Sequence, residues 1–129
     1  MKTKENKILI IGEESSVRKT TALLLGQNGH ESVSQAENGE QGINMAQRQH
    51  PGLVIFSGLN LPDMEGDEAV RRIRDGEGSS VKILAASGRD QEEVEARIKA
   101  AGADGFLHKP FTVQELLDAV ESLLAQKAV

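Results

Sequence analysis

The sequence predicts an α/β domain in which a parallel β-sheet is covered by helices on both faces. Short aliphatic segments alternate with longer segments whose apolar residues recur at the 3.6-residue period of a helix. The short segments are apolar at consecutive positions, which is typical of strands buried on both faces of a parallel sheet. Five such β–α units joined by right-handed crossovers predict a doubly wound sheet.

The predicted strands are short, and turn or helix-start residues follow each of them. The second strand has the weakest signal, because it alternates only partly between apolar and polar positions. In chain order the predicted strands are Lys7–Ile11, Glu31–Ala36, Leu53–Ser57, Val81–Ala86 and Gly105–His108.

Start and stop signals bound the predicted helices. Glu93 stands three residues after Asp90, which predicts a capping box at the start of the fourth helix. Glu115 stands three residues after Thr112 and predicts a second capping box at the start of the fifth. The predicted helices are Ser15–Gln27, Glu40–Gln49, Asp67–Asp75, a fourth from Asp90 to Gly102 and a fifth from Thr112 to Leu124.

Length and composition indicate one domain with an aliphatic core. The 129 residues suffice for a single domain, residues 1–129, with a core of about residues 7–125. Phe56, Phe106 and Phe111 are the only aromatic residues, so Leu, Ile, Val and Ala must fill the interior.

Charge and hydropathy patterns exclude several classes of function. The net charge of −5 without a block of like charges argues against a nucleic-acid partner. There is no cysteine, and the three histidines lie far apart, so no metal-ligand spacing is present. The longest apolar runs are too short to span a membrane, and the polar residues 1–7 lack the pattern of a secretory signal. We therefore expect a cytoplasmic protein without a membrane partner.

Polar and glycine residues follow the predicted strands at one edge of the sheet. In doubly wound sheets the functional site lies beyond the carboxyl ends of the strands. This edge, called the rim below, comprises Gly12, Glu13, Ser57, Gly58, Ser87 and Lys109.

Four motifs, each at the end of a predicted strand, resemble those of bacterial response-regulator receiver domains of the chemotaxis type. They are Lys7–Glu14, Asn60–Gly66, Leu84–Gly88 and Ala101–Phe111, and the match extends over about residues 7–125. The resemblance implies a flavodoxin-like (βα)5 fold with strand order 2-1-3-4-5. It also implies a role in two-component, or phosphorelay, signal transduction.

The sequence departs from the family where a receiver binds metal. In a working receiver two acids and a phosphoacceptor aspartate hold Mg²⁺, but here Gly12 stands where the first acid belongs. Glu13 keeps a carboxylate that is one methylene longer, and Glu14 follows it. The family would bring Mg²⁺, yet this degenerate acidic pocket predicts no metal site and no cofactor.

The phosphoacceptor position falls on one of two neighbouring residues. Counting forward from Pro51 places it on Ser57, whereas counting back from Pro62 places it on Gly58. We favour Gly58, because the loop between acceptor and proline is tied to the geometry of the site, whereas the preceding connection tolerates an extra residue. Neither residue is an aspartate, so the sequence is that of a pseudo-receiver.

Other positions match the family. The resemblance implies that Lys109 is the lysine that pairs with the phosphoryl group, Ser87 the switch hydroxyl and Phe106 the switch aromatic, and it makes Pro110 a candidate cis-proline. Alternatives stay open from the residues alone. Ser87 caps a turn or acts in switching, and Glu13 is a solvated acid or part of the site. We expect Phe106 to be packing rather than a moving gate.

We expect a non-enzymatic interaction module that works without phosphorylation, as a monomer or weak dimer. Its partner would be another signalling protein: a histidine kinase, an effector or an output domain. By analogy with the family, contact would use the fourth helix, fifth strand and fifth helix, through Glu95, Lys99, Asp104 and Gln114.

Two other functions stay open. One is a phosphoaccepting regulator that uses Ser57, although a serine hydroxyl needs a base to become nucleophilic, whereas an aspartate does not. The other is a small cofactor-binding protein or enzyme on the same fold, since fold alone does not fix function. A nucleotide-binding loop is not matched, because Gly12 lies one residue too far from Lys19-Thr20.

Overall fold

The computed structural model describes residues 6–88 and 91–126. Its central sheet has five parallel strands in the order β2-β1-β3-β4-β5, which confirms the predicted topology. The strands are β1 Ile8–Ile11, β2 Val33–Ala36, β3 Leu53–Phe56, β4 Lys82–Ser87 and β5 Gly105–His108. The helices are α1 Ser15–Gln27, α2 Gly39–Gln49, α3 Gly66–Glu77, α4 Gln91–Ala101 and α5 Val113–Ala125. A short 3₁₀ turn, Gly78–Ser80, follows α3.

Most differences from the predicted boundaries have local causes. Helix α2 starts one residue early because Asn38 caps it, its Oδ1 accepting the backbone N–H of Gln41 at 2.8 Å. Helix α3 continues through Gly76, since a glycine in an exposed helix costs only about 1 kcal/mol. The helix ends at Gly78, where φ is +63°. The predicted capping role of Asp90 lies outside the described residues.

Two hydrophobic layers enclose the sheet, because successive strand residues point to opposite faces. One layer packs strand residues against α2, α3 and α4; its strand members include Leu9, Ile11, Val54, Phe56, Ile83 and Ala85. The other packs strand residues against α1 and α5; its fully buried strand members are Ile8, Ile10, Leu53, Ile55 and Leu84. The carboxyl ends of all five strands therefore reach one edge between the two helical layers.

A capping box fixes the start of α5, the helix that follows β5 and the rim lysine. Thr112 accepts the N–H of Glu115 at 3.0 Å, and the Glu115 carboxylate accepts the N–H of Thr112 at 2.8 Å, which confirms the predicted capping box of α5. Within residues 6–88 and 91–126, no helix is both long and apolar enough to cross a membrane.

Candidate functional site

The structure brings the predicted rim residues together at the carboxyl ends of β1, β3, β4 and β5. Gly12 directly follows β1, and Ser57 directly follows β3, with its N–H donating to the Ile11 carbonyl at 2.9 Å. Ser87 ends β4, and its carbonyl accepts the N–H of Lys109 at 2.9 Å. The strand register thus places all four residues on one edge.

Ser57 occupies the space next to Gly12. A methyl group placed on Gly12 would overlap the Ser57 hydroxyl. Ser57 is only 6% exposed, and its Oγ donates to the Ile11 carbonyl at 3.4 Å, a weak bond. The position where the family carries its first acid is therefore filled by a buried hydroxyl from the neighbouring strand.

Glu13 lies over Gly58 in a second arrangement of the same kind. A methyl group on Gly58 would stand 3.0 Å from Glu13 Oε1. Glu13 is exposed, and its extra methylene relative to aspartate gives it the reach for this position. Each rim glycine therefore makes room for a side chain that comes from the other strand.

Both candidate acceptor positions border the site. Ser57 continues the register of β3 and faces Gly12, whereas Gly58 faces the Glu13 carboxylate. Neither position carries a carboxylate. Neither Gly12 nor Gly58 has positive φ, so both backbones accept a side chain without conformational strain.

Two cations at the rim end on main-chain carbonyls. Lys109 Nζ donates to the Ser57 carbonyl at 2.5 Å. Arg18 Nη1 donates to the Gly12 carbonyl at 2.6 Å, and its Nε is buried without a hydrogen-bond partner. Among the described residues neither cation forms an ion pair with a carboxylate. The rim thus holds its cations by backbone dipoles rather than by acidic side chains.

Sequence reasoning missed Arg18, which is 7% exposed on the inward face of α1. The signal was its spacing, because Arg18, Thr21 and Leu25 follow the helical period and all three are buried. A charged residue on the buried face of a helix needs a polar partner, and the end of a strand supplies one.

Asp63 connects the loop after β3 to α2. Its two carboxylate oxygens accept the N–H groups of Gly39 and Glu40 at 2.8 and 2.9 Å. The bond from Glu40 is the main cause that holds the pKa of the Asp63 carboxyl below its usual 3.8, against partial desolvation. The carboxylate also lies where the start of a helix favours negative charge. Asp63 is therefore engaged in holding the loop in place.

The residues at the rim do not fit a magnesium ion. Mg²⁺ requires several oxygen ligands in near-octahedral geometry. Glu13 brings a carboxylate to Gly58, while Glu14 is exposed at the start of α1 without capping it through its side chain. In the described part of the chain no three His, Cys, Asp or Glu side chains form a group that could hold a metal.

The switch-like residues lie along β4 and β5. Ser87 is buried, and Phe106 is half-buried against the core. The Phe106 ring meets the His108 ring edge-on, with centroids 5.1 Å apart and planes at 75°. The Lys109–Pro110 peptide bond is cis, the isomer expected for Pro110.

Three of the four predicted contact residues, Glu95, Lys99 and Gln114, lie on α4 and α5 and bond to neighbouring side chains there. Glu95 contacts Lys99 at 2.9 Å and His108 at 3.1 Å. The hydrogen bond from Lys99, with a smaller contribution from His108, holds the pKa of the Glu95 carboxyl below its usual value. Gln114 donates to Asp118 within α5 at 2.7 Å.

Asp104 has a different role from the other three. Its Oδ2 accepts Arg74 Nη2 at 2.7 Å and the N–H of Ile83 at 2.8 Å. The carboxylate therefore links α3, β4 and the turn before β5. These bonds hold the fold together, so Asp104 is poorly suited to the partner contact expected from the sequence.

Comparison with known proteins places this geometry in context. The chain matches the response regulator receiver domain over residues 8–121. It is 30% identical over 115 residues to the transcriptional regulatory protein PdtaR of Mycobacterium tuberculosis, covering 89% of this chain and 55% of PdtaR. It is 29% identical to the chemotaxis protein CheY of Bacillus subtilis, covering 92% of this chain and 98% of CheY. The chain thus spans about half the length of PdtaR but nearly all of CheY.

Solved structures agree with this assignment. Chemotaxis protein CheY4 of Vibrio cholerae superposes with a TM-score of 0.82 at 29% identity, covering 92% of this chain and 98% of CheY4. A putative response regulator from Chloroflexus aurantiacus superposes with a TM-score of 0.87 at 27% identity, covering 95% and 100%. The family match extends over most of the chain, and the strand order and the position of Lys109 agree with it. The chain therefore belongs to the response-regulator receiver-domain family of two-component signal transduction.

Proposed function

We propose that this chain is a pseudo-receiver, a signalling module that acts through protein contact and does not depend on phosphorylation. The observation that carries the proposal is which side chains occupy the acceptor and metal positions at the rim. Ser57 and Gly58, the two candidate acceptor positions, lack a carboxylate; the Ser57 hydroxyl fills the space beside Gly12, and Glu13 lies over Gly58. An aspartate is nucleophilic as it stands, whereas the residues present have no such group to offer a phosphoryl donor.

The alternative acceptor, Ser57, has an unfavourable environment. Its hydroxyl is buried against Gly12 and bonds to the Ile11 carbonyl, an acceptor that cannot remove a proton. No His or carboxylate forms a hydrogen bond to it among the described residues. A serine in this position lacks the adjacent general base that activates such nucleophiles.

The partner in this proposal is another signalling protein, namely a histidine kinase, an effector or an output domain. Glu95 and Lys99 form an ion pair at the surface of α4, His108 of β5 contacts Glu95, and Gln114 adds a polar group on α5. We include in the proposal a non-enzymatic role, a cytoplasmic location, the absence of nucleic-acid contact and a monomeric or weakly dimeric state. Exposed charges at the periphery of a protein–protein interface affect the rate of association more than the affinity.

Intact-mass analysis after treatment with acetyl phosphate and Mg²⁺ tests the proposal. The expected result is an unchanged mass, while a receiver that carries the acceptor aspartate gains a phosphoryl group in parallel. A hydroxylamine-sensitive adduct would overturn the proposal, because acyl phosphates are cleaved by hydroxylamine. A hydroxylamine-stable adduct that disappears in Ser57→Ala would establish the serine alternative instead.

A further inference from the structure

Lys109 makes two bonds that cross the end of the sheet. Its backbone N–H donates to the Ser87 carbonyl at the end of β4, at 2.9 Å. Its ammonium passes β4 and donates to the Ser57 carbonyl at the end of β3, at 2.5 Å. One residue thus connects the ends of three adjacent strands, and we call these two bonds the rim clamp.

The ammonium bond is a strong connection by its chemistry. A hydrogen bond from a charged donor is about twice as strong as one between neutral groups. Lys109 is half-buried, and no carboxylate among the described residues competes for it within ion-pair distance. Glu13, the nearby acid, lies over Gly58 instead. The Ser57 carbonyl is therefore the partner that satisfies this cation.

The clamp acts on one of the two edge strands of the sheet. β5 is four residues long and is an edge strand, with β4 as its one neighbour in the sheet. Phe106 and His108 belong to it, and His108 contacts Glu95 of α4. A shift of Lys109 would therefore move the end of β5 together with the Glu95–Lys99 ion pair on α4.

We propose that Lys109 is a positioning residue that holds β3, β4 and β5 in one fixed arrangement and so keeps Phe106 in a single environment. This proposal rests on the pseudo-receiver function, since a free acceptor carboxylate would take the ammonium for itself. The same lysine that would serve a phosphoryl group in a switchable receiver here fixes the main chain.

Fluorine NMR provides a direct readout, because the chain has three phenylalanines and no tyrosine or tryptophan. The 129-residue chain labelled with fluorophenylalanine should give three resonances, and Phe106→Leu assigns one of them. In Lys109→Met the Phe106 resonance should broaden or split, while those of Phe56 and Phe111 stay sharp. Lys19→Met removes an exposed lysine of α1 that lies outside the Lys99–Glu95–His108–Phe106 contacts, and it should leave the Phe106 resonance single.

Hydrogen exchange measures the other end of the clamp. In Lys109→Met the amides of residues 57–66 should exchange about tenfold faster or more, beyond any change in global stability measured by urea unfolding. Should this variant fail to fold, Lys109→Gln replaces it, with the same changes expected to a smaller extent.

Unchanged exchange and an unchanged Phe106 resonance in the Lys109 variants would overturn the clamp. Equal effects of Lys19→Met and Lys109→Met would overturn it as well, and so would an increase in exchange that is uniform over the sheet. These outcomes are distinct from failure of the proposed function, which shows itself as phosphoryl labelling of the wild-type chain.

Discussion

Gly12 and Ser57 act as one unit at the residue scale, because the side chain of one fills the space left by the other. The hydroxyl of Ser57 occupies the space that a Cβ at position 12 would need. A substitution at Gly12 therefore displaces Ser57 before it adds any chemistry. The same holds more weakly for Gly58 and Glu13, since the flexible end of Glu13 can move away.

We predict an energetic coupling between these two positions. Gly12→Asp should destabilise the fold by roughly 1–3 kcal/mol, the usual cost of overpacking a tight site. The same change in a Ser57→Ala background should cost less, with a coupling of about 0.5–3 kcal/mol, because the overlapping oxygen is gone. Urea unfolding of the wild type, both single variants and the double variant measures it. An equal cost of Gly12→Asp in both backgrounds would contradict the packing.

The overlap between positions 12 and 57 also decides which substitutions can restore phosphorylation. The sequence alone suggests Gly12→Asp with Gly58→Asp, but Ser57 must also shrink to make room. We predict that Gly12→Asp/Ser57→Ala/Gly58→Asp gains Mg²⁺-dependent labelling by acetyl phosphate, because two aspartates then join Glu13 and Lys109 at the rim. The control Gly12→Asp/Ser57→Asp should stay unlabelled, since two aspartates cannot share a space in which a Cβ at position 12 already overlaps the smaller Ser57 side chain. Labelling of the control alone would place the acceptor at position 57.

At the scale of elements, the two hydrogen bonds that Asp63 accepts from the start of α2 predict that stability depends on pH. The N–H groups of Glu40 and Gly39 hold the pKa of Asp63 in the folded state below its usual 3.8. A carboxyl with a lowered folded pKa stabilises the fold above its unfolded pKa, and this contribution is lost as the pH falls through the folded value. Wild type should therefore exceed Asp63→Asn in stability at neutral pH, and the difference should vanish well below pH 3.8.

Chemical denaturation at several pH values from neutral to strongly acidic tests this dependence. Asp118→Asn provides a matched control, because Asp118 is an exposed carboxylate within α5 that accepts the Gln114 side-chain amide and no backbone N–H of a helix start among the described residues. A difference between wild type and Asp63→Asn that stays constant through the acid range would refute the capping role of the ionised carboxylate.

The elements themselves were largely predictable from the sequence. Buried strands such as Ile8–Ile11 are continuous apolar runs, and amphipathic helices such as Val113–Ala125 repeat apolar residues at the helical period, so both can be recognised before the packing is known. The capping box at Thr112 has a local signature and was predicted as well. The end of α3 was not, because a glycine is tolerated in an exposed helix.

The site was predictable as a set of positions but not as a set of contacts. Strand order and the rule for strand ends bring Gly12, Ser57 and Lys109 together. The overlap between Gly12 and Ser57 depends on register and side-chain rotamers, which no local pattern encodes. The buried position of Arg18 and the inward bonds of Asp104 likewise arise only from packing between elements.

At the scale of the whole molecule, the stability of the fold resides in its two hydrophobic layers rather than in a metal at the rim. Both layers run the length of the sheet and contain nearly all of the buried aliphatic residues in the described chain. The rim adds hydrogen bonds from Lys109 and Arg18, which need no bound ion. We therefore expect the rim to keep its geometry without a bound ion.

We predict from this that Mg²⁺ does not stabilise the protein. An ion that binds only the folded state at a concentration 100-fold above its Kd would add about 2.7 kcal/mol and raise the melting temperature by several degrees. Wild type should instead melt at one temperature in MgCl₂ and in NaCl of equal ionic strength, because Glu13 alone offers too few ligands. The Gly12→Asp/Ser57→Ala/Gly58→Asp variant, melted in the same two salts, should rise with Mg²⁺ and so establish the sensitivity of the assay. A saturable rise for the wild type itself would show that the rim still assembles a metal site from groups other than these.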